Sequence, residues 1–292
     1  MVRGAARTGR NFGQADETVT MGDIDAATDW RAALESVDQI VHCAARVHVL
    51  RDEPLGHSLY TRTNVDGTER LAVAAARAGV RRFVYLSSAK VLGESTGVRV
   101  FSNRDRPAPV GPYAESKSKA EGVVRAVADA TGMQAVIIRP PLVYGPGVGA
   151  NFLSLIRWVA SGVPLPLGSI QNRRSYVYVG NLVDLVTHTL CMRDIPSEPL
   201  LVSDGDDLST PEMISRLCGS LNVPNRLWSV PAPVLRGLCR LAGRLDEYER
   251  LVGSLQVDLC GTLTATGWGP PFSVQHGLAD TAAWFRSGRV NV

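Results

Sequence analysis

Apolar runs without polar interruption alternate, in the first half of the chain, with segments whose apolar positions recur at helical spacing. Gln39-Ile40-Val41-His42-Cys43-Ala44-Ala45 reads as a buried strand that ends in small residues. Val65 to Ala78 follows as a helix, with Gly79 as its C-terminal cap. Arg82-Phe83-Val84-Tyr85-Leu86-Ser87-Ser88 is the next strand, and a polar loop runs from Glu94 to Pro112. Pro112 opens a second long helix that closes at Thr131 before Gly132, with Ala120, Val123, Val124, Val127 and Ala130 on one face. Ala135 to Arg139 is a third strand, stopped by Pro140-Pro141. Strands that are apolar throughout need cover on both faces. The pattern therefore predicts an α/β fold with a doubly wound parallel sheet of βαβ units and right-handed crossovers.

Beyond Tyr144-Gly145-Pro146-Gly147 the texture changes: helices shorten, Pro and Gly become frequent, and strands such as Ser175–Val179 and Leu200–Ser203 stand alone. This divides the chain into a main domain over 1–147 and a smaller lobe over 148–292, interleaved with the last strands of the sheet. A helix from Pro231 to Leu245 places Val234, Leu235, Leu238, Leu241 and Leu245 on one side and Arg236, Arg240 and Arg244 on another stripe. A membrane surface suits such a helix, but packing of the apolar row onto its own lobe is the expectation.

The 292 residues include 31 basic and 28 acidic side chains, a net charge of +3, which calls for no polyanionic partner and no nucleic acid. No apolar run reaches the length of a membrane span, and Met1 to Arg7 lacks the apolar core of a secretory signal. No membrane partner is therefore expected, and the cytoplasm is the expected location. Cys43, Cys191, Cys218, Cys239 and Cys260 are widely spaced among apolar neighbours, without a C-x-x-C, and read as buried reduced thiols. His42, His48, His57, His188 and His276 form no H-x-x-x-H pair, so no metal site is expected.

Tyr113-Ala114-Glu115-Ser116-Lys117 carries the chemistry. In the first turns of a helix, Tyr113 and Lys117 project from one face. A phenol with a pKa near ~10 is a poor acid or base at neutral pH. An adjacent ammonium favours the phenolate and brings that pKa toward the working range. Y-x-x-x-K alone arises often by chance. Here the chain has only three lysines, Lys90, Lys117 and Lys119, and Ser88 ends a strand where a doubly wound sheet builds its crevice. Ser88, Tyr113 and Lys117 together suit hydride transfer at a carbinol carbon. Tyr113 moves the hydroxyl proton, Ser88 fixes the oxygen, and Lys117 tunes the phenol and reaches a dinucleotide ribose.

With these residues in order, the chain resembles the extended short-chain dehydrogenases/reductases, the NAD-dependent epimerase/dehydratase group that acts on nucleotide sugars. The matching segments include Val41 to Ala45, Asn64-Val65-Asp66-Gly67-Thr68, Ser87 to Gly93, Pro112 to Lys117, Ile138 to Gly147, Asn151-Phe152-Leu153, Arg173 to Val179 and Gly267-Trp268-Gly269-Pro270. The runs Ala45 to Val49 and Ser169 to Ser175 are similar to a bacterial UDP-glucose 4-epimerase-like branch that includes 4-ketoreductases of UDP-N-acetylquinovosamine type, which make sugars for surface polysaccharides. The resemblance implies NAD or NADP as cofactor and a nucleotide sugar as substrate. It gives Ser88, Tyr113 and Lys117 the catalytic roles. It places Asp23 and Ile24 at the adenine, Ala44, Ala45 and Asn64 along the dinucleotide, and Pro140 and Val143 beside the nicotinamide. It assigns Asn151 and Arg174, with Ser88, to the sugar nucleotide. A helix N-cap is the plainer role for Asn64, and a surface ion pair for Arg174. A homodimer through the two long helices is also implied.

The resemblance is incomplete. Arg3-Gly4-Ala5-Ala6-Arg7 reads as the end of the second strand of the fold, so the first strand and its glycine-rich turn are missing. Gly4, Gly9 and Gly13 do not have the spacing of a phosphate loop. The missing strand lies between the second and fourth strands, and its loss is expected to leave the Ser87 strand with an unpaired edge. A longer natural chain, an inactive fragment, and a slot filled by another segment or chain each account for this. Poor NAD affinity is expected, with Arg7 suited either to a 2′-phosphate of NADP or to solvent. Lys90 and Leu92 replace the more usual residues after Ser88, which leaves epimerase and 4-ketoreductase both open. A non-enzymatic nucleotide-sugar-binding remnant is the alternative.

Overall fold

The computed structural model describes residues 1–8, 15–47, 56–243 and 245–288. Gly9, Gly13, His48, Val49 and Arg244 lie outside the described residues. In chain order the elements begin with β1 (Arg3–Ala6), β2 (Glu17–Thr20), α1 (Arg31–Leu34) and β3 (Gln39–His42). α2 (Gly56–Tyr60) runs through a π-helical turn at Thr61–Asp66 into α3 (Gly67–Arg77). β4 (Arg82–Leu86), a 3-10 turn at Ala89–Leu92, α4 (Pro112–Thr131), β5 (Gln134–Arg139) and β6 (Leu142–Tyr144) follow. Then come α5 (Ala150–Ala160), β7 (Tyr176–Tyr178), α6 (Val179–Cys191), β8 (Leu200–Leu201) and α7 (Thr210–Leu221). The chain closes with α8 (Ala232–Leu241), α9 (Leu245–Val252), α10 (Cys260–Thr266) and α11 (Val274–Arg286).

The fold is α/β with parallel pairing in β1–β2, β3–β4, β4–β5 and β6–β7. β3, β4, β5 and β8 form one sheet in that order, and β1 and β2 form another. The unpaired edge is not where it was expected. β4, which leads into Ser87, is hydrogen-bonded on both sides, by β3 and β5. β3 has β4 as its one neighbour among the described strands, and Val41 within it is 37% exposed.

Two compact units emerge: Met1–Gly93 with Arg106–Arg139 and His188–Leu200, and Glu94–Asp105 with Pro140–Thr187 and Leu201–Val292. The break in the chain thus falls after Arg139, not at 147, and a piece of each half belongs to the other unit. In the first unit α1, α3 and α4 pack on the sheet through Leu34, Leu71, Ala75, Ala120 and Val124, against Phe83 and Tyr85 of β4. The two-residue period of a strand puts Val84 on the opposite face, where it is also buried. The helix expected from Val65 starts instead in the π-helical turn and passes to α form at Gly67. A Cβ at Gly67 would stand 2.5 Å from Ile24 Cγ2, so this crossing requires glycine. Arg82 is fully buried and donates to the carbonyls of Thr189, Leu190 and Met192, the groups that the end of α6 leaves without partners.

The second unit is built on β6 and β7, covered by α5, α7 and α11 through Phe152, Ile156, Met213, Leu217 and Leu278. Asp204 ties it together, accepting from the Tyr144 hydroxyl, the Tyr178 amide and the Asn181 side chain. A capping box of Ser209 and Glu212 starts α7. The helix expected over Pro231–Leu245 ends at Leu241, and its apolar row does not pack inward: only Leu235 of α8 is buried, with Cys239 half-buried. Nor are the cysteines uniformly buried. All five are free, but Cys43, Cys191 and Cys260 are exposed, because each lies at or beyond the end of a strand or helix. Among the described residues no helix is long and apolar enough to cross a membrane, and no three metal-binding side chains gather.

Candidate active site

Ser88, Tyr113 and Lys117 meet in the first unit. α4 starts at Pro112 with acidic Glu115 in its first turn, so Tyr113 and Lys117 lie one turn apart on a helix that the sequence itself nucleates. β4 delivers Ser88 as the N-cap of the 3-10 turn at Ala89–Leu92, where its hydroxyl accepts from the Lys90 amide. The Ser88 hydroxyl also lies near enough to the Tyr113 phenol to lower its pKa. Tyr60 closes the other side of Tyr113, edge to face at 6.2 Å between ring centres.

Lys117 is 2% exposed. Its ammonium donates to the carbonyl of Leu86 at 2.6 Å and lies 4.5 Å from the centre of the Tyr85 ring. Burial pulls its pKa down to about 8, while Cys43 and Glu121 nearby oppose that shift. The expected lowering of the Tyr113 pKa by Lys117 is not found. Burial pushes the phenol up and Ser88 opposes it, since the ammonium is turned to the sheet. Tyr113 is therefore a protonated phenol at neutral pH.

One turn after Lys117, Glu121 forms a buried, two-pronged pair with Arg139 of β5, at 2.9 and 2.6 Å. The Ser87 hydroxyl donates to the same carboxylate. Beneath these groups His42 stacks on Tyr85 and pairs with Thr68 through Nε2 at 3.0 Å. Burial, helped by the Lys117 charge, holds its pKa down at about 3. The Tyr85 hydroxyl is buried and lacks a hydrogen-bond partner among the described residues. The sequence reading passed over Glu121, Arg139, Tyr85 and His42. The spacing of Tyr113, Lys117 and Glu121, each four apart, was the one available signal.

Other predicted residues fall as follows. Asp23 and Arg7 are exposed and pair with each other at 3.7 Å. Ile24 is half-buried against the core. Ala44 is exposed and Ala45 half-buried just beyond β3. Asn64 is no helix N-cap: it is buried inside the π-helical turn. There its amide clamps the backbone of Arg46 from both sides and donates to the Ser116 hydroxyl. Pro140, Val143, Asn151 and Arg174 belong to the second unit. Pro140 is buried, Val143 half-buried in β6 and Asn151 exposed in the first turn of α5. The Arg174 guanidinium donates to the Gly253 carbonyl, within its own unit.

Among known proteins, the chain is 45% identical over 272 residues to a UDP-glucose 4-epimerase of Vibrio cholerae, covering 91% of this chain and 82% of that protein. It is 28% identical over 281 residues to an N-acetyl-alpha-D-glucosaminyl-diphospho-ditrans,octacis-undecaprenol 4-epimerase of Escherichia coli O157:H7, with the same coverage. Of solved structures, MoeE5 in complex with UDP-glucuronic acid and NAD superimposes with a TM-score of 0.77 at 26% identity, over 98% of this chain and 91% of that one. A double mutant of DesIV, the dTDP-glucose 4,6-dehydratase of Streptomyces venezuelae, gives 0.72 at 27% identity, over 94% and 80%. The match to the family itself runs from residue 2 to residue 198 and takes in every strand and helix that builds the Ser88, Tyr113 and Lys117 site, so this chain belongs to the NAD dependent epimerase/dehydratase family of enzymes.

Proposed function

We propose that the chain interconverts or reduces a nucleotide sugar at C4, as a UDP-sugar 4-epimerase or 4-ketoreductase that uses a nicotinamide dinucleotide. The observation that carries this reading is the hydrogen bond from Lys117 to Leu86, which holds the helix face bearing Tyr113 to the strand end that leads into Ser88. The bound dinucleotide supplies a hydride acceptor and donor for C4. Tyr113 is the proton carrier at O4. As a half-buried, protonated phenol it can donate to a 4-keto oxygen, and Ser88 steadies both that oxygen and the resulting phenolate. Lys117 spends one hydrogen bond on Leu86, which leaves donors for a ribose hydroxyl. Asp23 and Ile24 suit the adenine, Arg7 a 2′-phosphate, Ala44 and Ala45 the length of the dinucleotide, and Pro140 and Val143 the nicotinamide. Asn64 acts there through the Arg46 backbone that it clamps. Asn151 and Arg174 are assigned to the sugar nucleotide, with Arg174 matched to its diphosphate.

The second reading is a nucleotide-sugar-binding protein without dinucleotide binding. The first of the relatives named above supports a UDP-sugar, a role in surface polysaccharide biosynthesis belongs to the same proposal, and the free thiols suit the cytoplasm. A homodimer through α3 and α4 belongs to the same proposal, supported by a groove of about 500 Å³ lined by Val73, Ala76, Val123, Ala126, Val127 and Ala130.

Incubation of the protein with UDP-sugars, with and without NAD or NADH, tests the activity. Epimerisation without net NADH use marks an epimerase, and stoichiometric NADH oxidation a reductase. Tyr113→Phe is expected to lower the rate at least ~100-fold. Calorimetry that shows UDP-sugar binding without NAD binding establishes the second reading instead.

A further inference from the structure

Helix α8 faces outward where its sequence led us to expect inward packing. Leu235 anchors it, yet Val234 is 52%, Leu238 58% and Leu241 87% exposed. At 100° per residue these three fall within an arc of about 60°. Arg236 and Arg240 stand on the far flank of the solvent-facing half, and α8 contains no acidic residue. Gly237 lies between the two rows, and a Cβ there would meet open space, so nothing projects between apolar row and arginines. Just upstream, Trp228 is 63% exposed. Exposure of one leucine is ordinary, but a row of three on a helix that also carries two exposed arginines is a surface built for contact.

We propose that α8 is an interfacial helix that docks this protein on an anionic phospholipid surface. Val234, Leu238 and Leu241 enter the headgroup boundary, and Arg236 and Arg240 meet lipid phosphates. The distribution matches what such helices need: a strong division into apolar and cationic sides, at a length too short to span. The charge speaks for an anionic surface. A second copy of this chain would bring arginines against arginines if the same face were shared about a two-fold axis. Arg236 also pairs with Glu249 at 3.2 Å, an exposed pair weak enough to exchange for phosphate. The inference departs from the expectation of no membrane partner and is independent of the activity proposed above.

Co-sedimentation of the full chain with vesicles tests it, comparing pure phosphatidylcholine with about 30% phosphatidylglycerol. Binding is expected to the anionic vesicles alone, weakening as salt rises. Leu238→Glu and Leu241→Glu should each lower the partition constant at least ~10-fold, since one buried leucine side chain is worth that factor. Arg236→Glu with Arg240→Glu should lower it by a similar factor. Because all four side chains are exposed, thermal midpoints should stay at the parent value, which separates lost docking from lost fold. Equal binding to both vesicle types, no binding to either, or unchanged binding by the leucine variants overturns the proposal. So does Leu238→Glu converting a solution dimer to monomer, which would give the face to a second copy.

Discussion

The ammonium of Lys117 donates to the carbonyl oxygen of Leu86, tying the middle of α4 to the last residue of β4. Tyr113 lies one turn before the lysine and Ser88 two residues beyond the leucine. One buried hydrogen bond therefore holds helix and strand in the register that brings phenol and hydroxyl together.

Burial lowers the Lys117 pKa to about 8, and the chain has only Lys90 and Lys119 besides. An NMR titration of ε-carbon-labelled lysine should show one resonance with a midpoint near pH 8 that disappears in Lys117→Met. An unfolded lysine keeps its proton to about pH 10.4, so between these values the unfolded state binds more protons and this group's contribution to stability rises with pH. The stability difference between parent and Lys117→Met should move in the parent's favour across that window.

Glu121 and Arg139 pair with side chains only 5% and 3% exposed. Glu121→Gln strands a buried guanidinium and should cost about 3–5 kcal/mol in urea unfolding. The double variant Glu121→Met, Arg139→Met removes both charges and should recover most of that loss. If the single and double variants are equally unstable, the pair is not the source.

His42 is buried and neutral, its pKa held at about 3 by burial first and by Lys117 second. The unfolded histidine takes up its proton near pH ~6.5, so between 6.5 and 3 the unfolded state binds more protons and stability falls as pH falls. His42→Gln should flatten the fall in thermal midpoint between pH 6.5 and 4.

Arg82 satisfies three carbonyls at the end of α6 and the side chain of Gln134. Arg82→Met leaves those carbonyls buried without donors and should destabilise the fold by at least about 3 kcal/mol. Denaturant unfolding measures it. A loss under 1 kcal/mol would mean that water replaces the guanidinium.

Much of the first unit was legible before any coordinates. The limits of α4 were predicted to the residue because Pro112 and Gly132 punctuate it, whereas the strand expected over Arg82–Ser88 is observed as Arg82–Leu86 and that over Ala135–Arg139 as Gln134–Arg139. Tyr113, Lys117 and Ser88 stood out through residue type, spacing and position at a strand end. The π-helical turn was not legible, since nothing in Thr61–Asp66 departs from helical periodicity. Nor was the interior role of Asn64, whose partner Arg46 lies outside its helix. The Ser87 strand was expected at an edge because strand order had been inferred from resemblance. The observed pairing puts β4 inside the sheet and β3 at the margin.

Local chemistry settles the elements of this protein and singles out Tyr113, Ser88 and Lys117, because caps, breakers and periodicity act within a few residues along the chain. Where the Lys117 charge is directed, which way the phenol is shifted, which carboxylate is buried and which side of α8 meets solvent depend on groups distant in sequence. Desolvation and pairing arise when those groups are packed, so these properties belong to the folded chain.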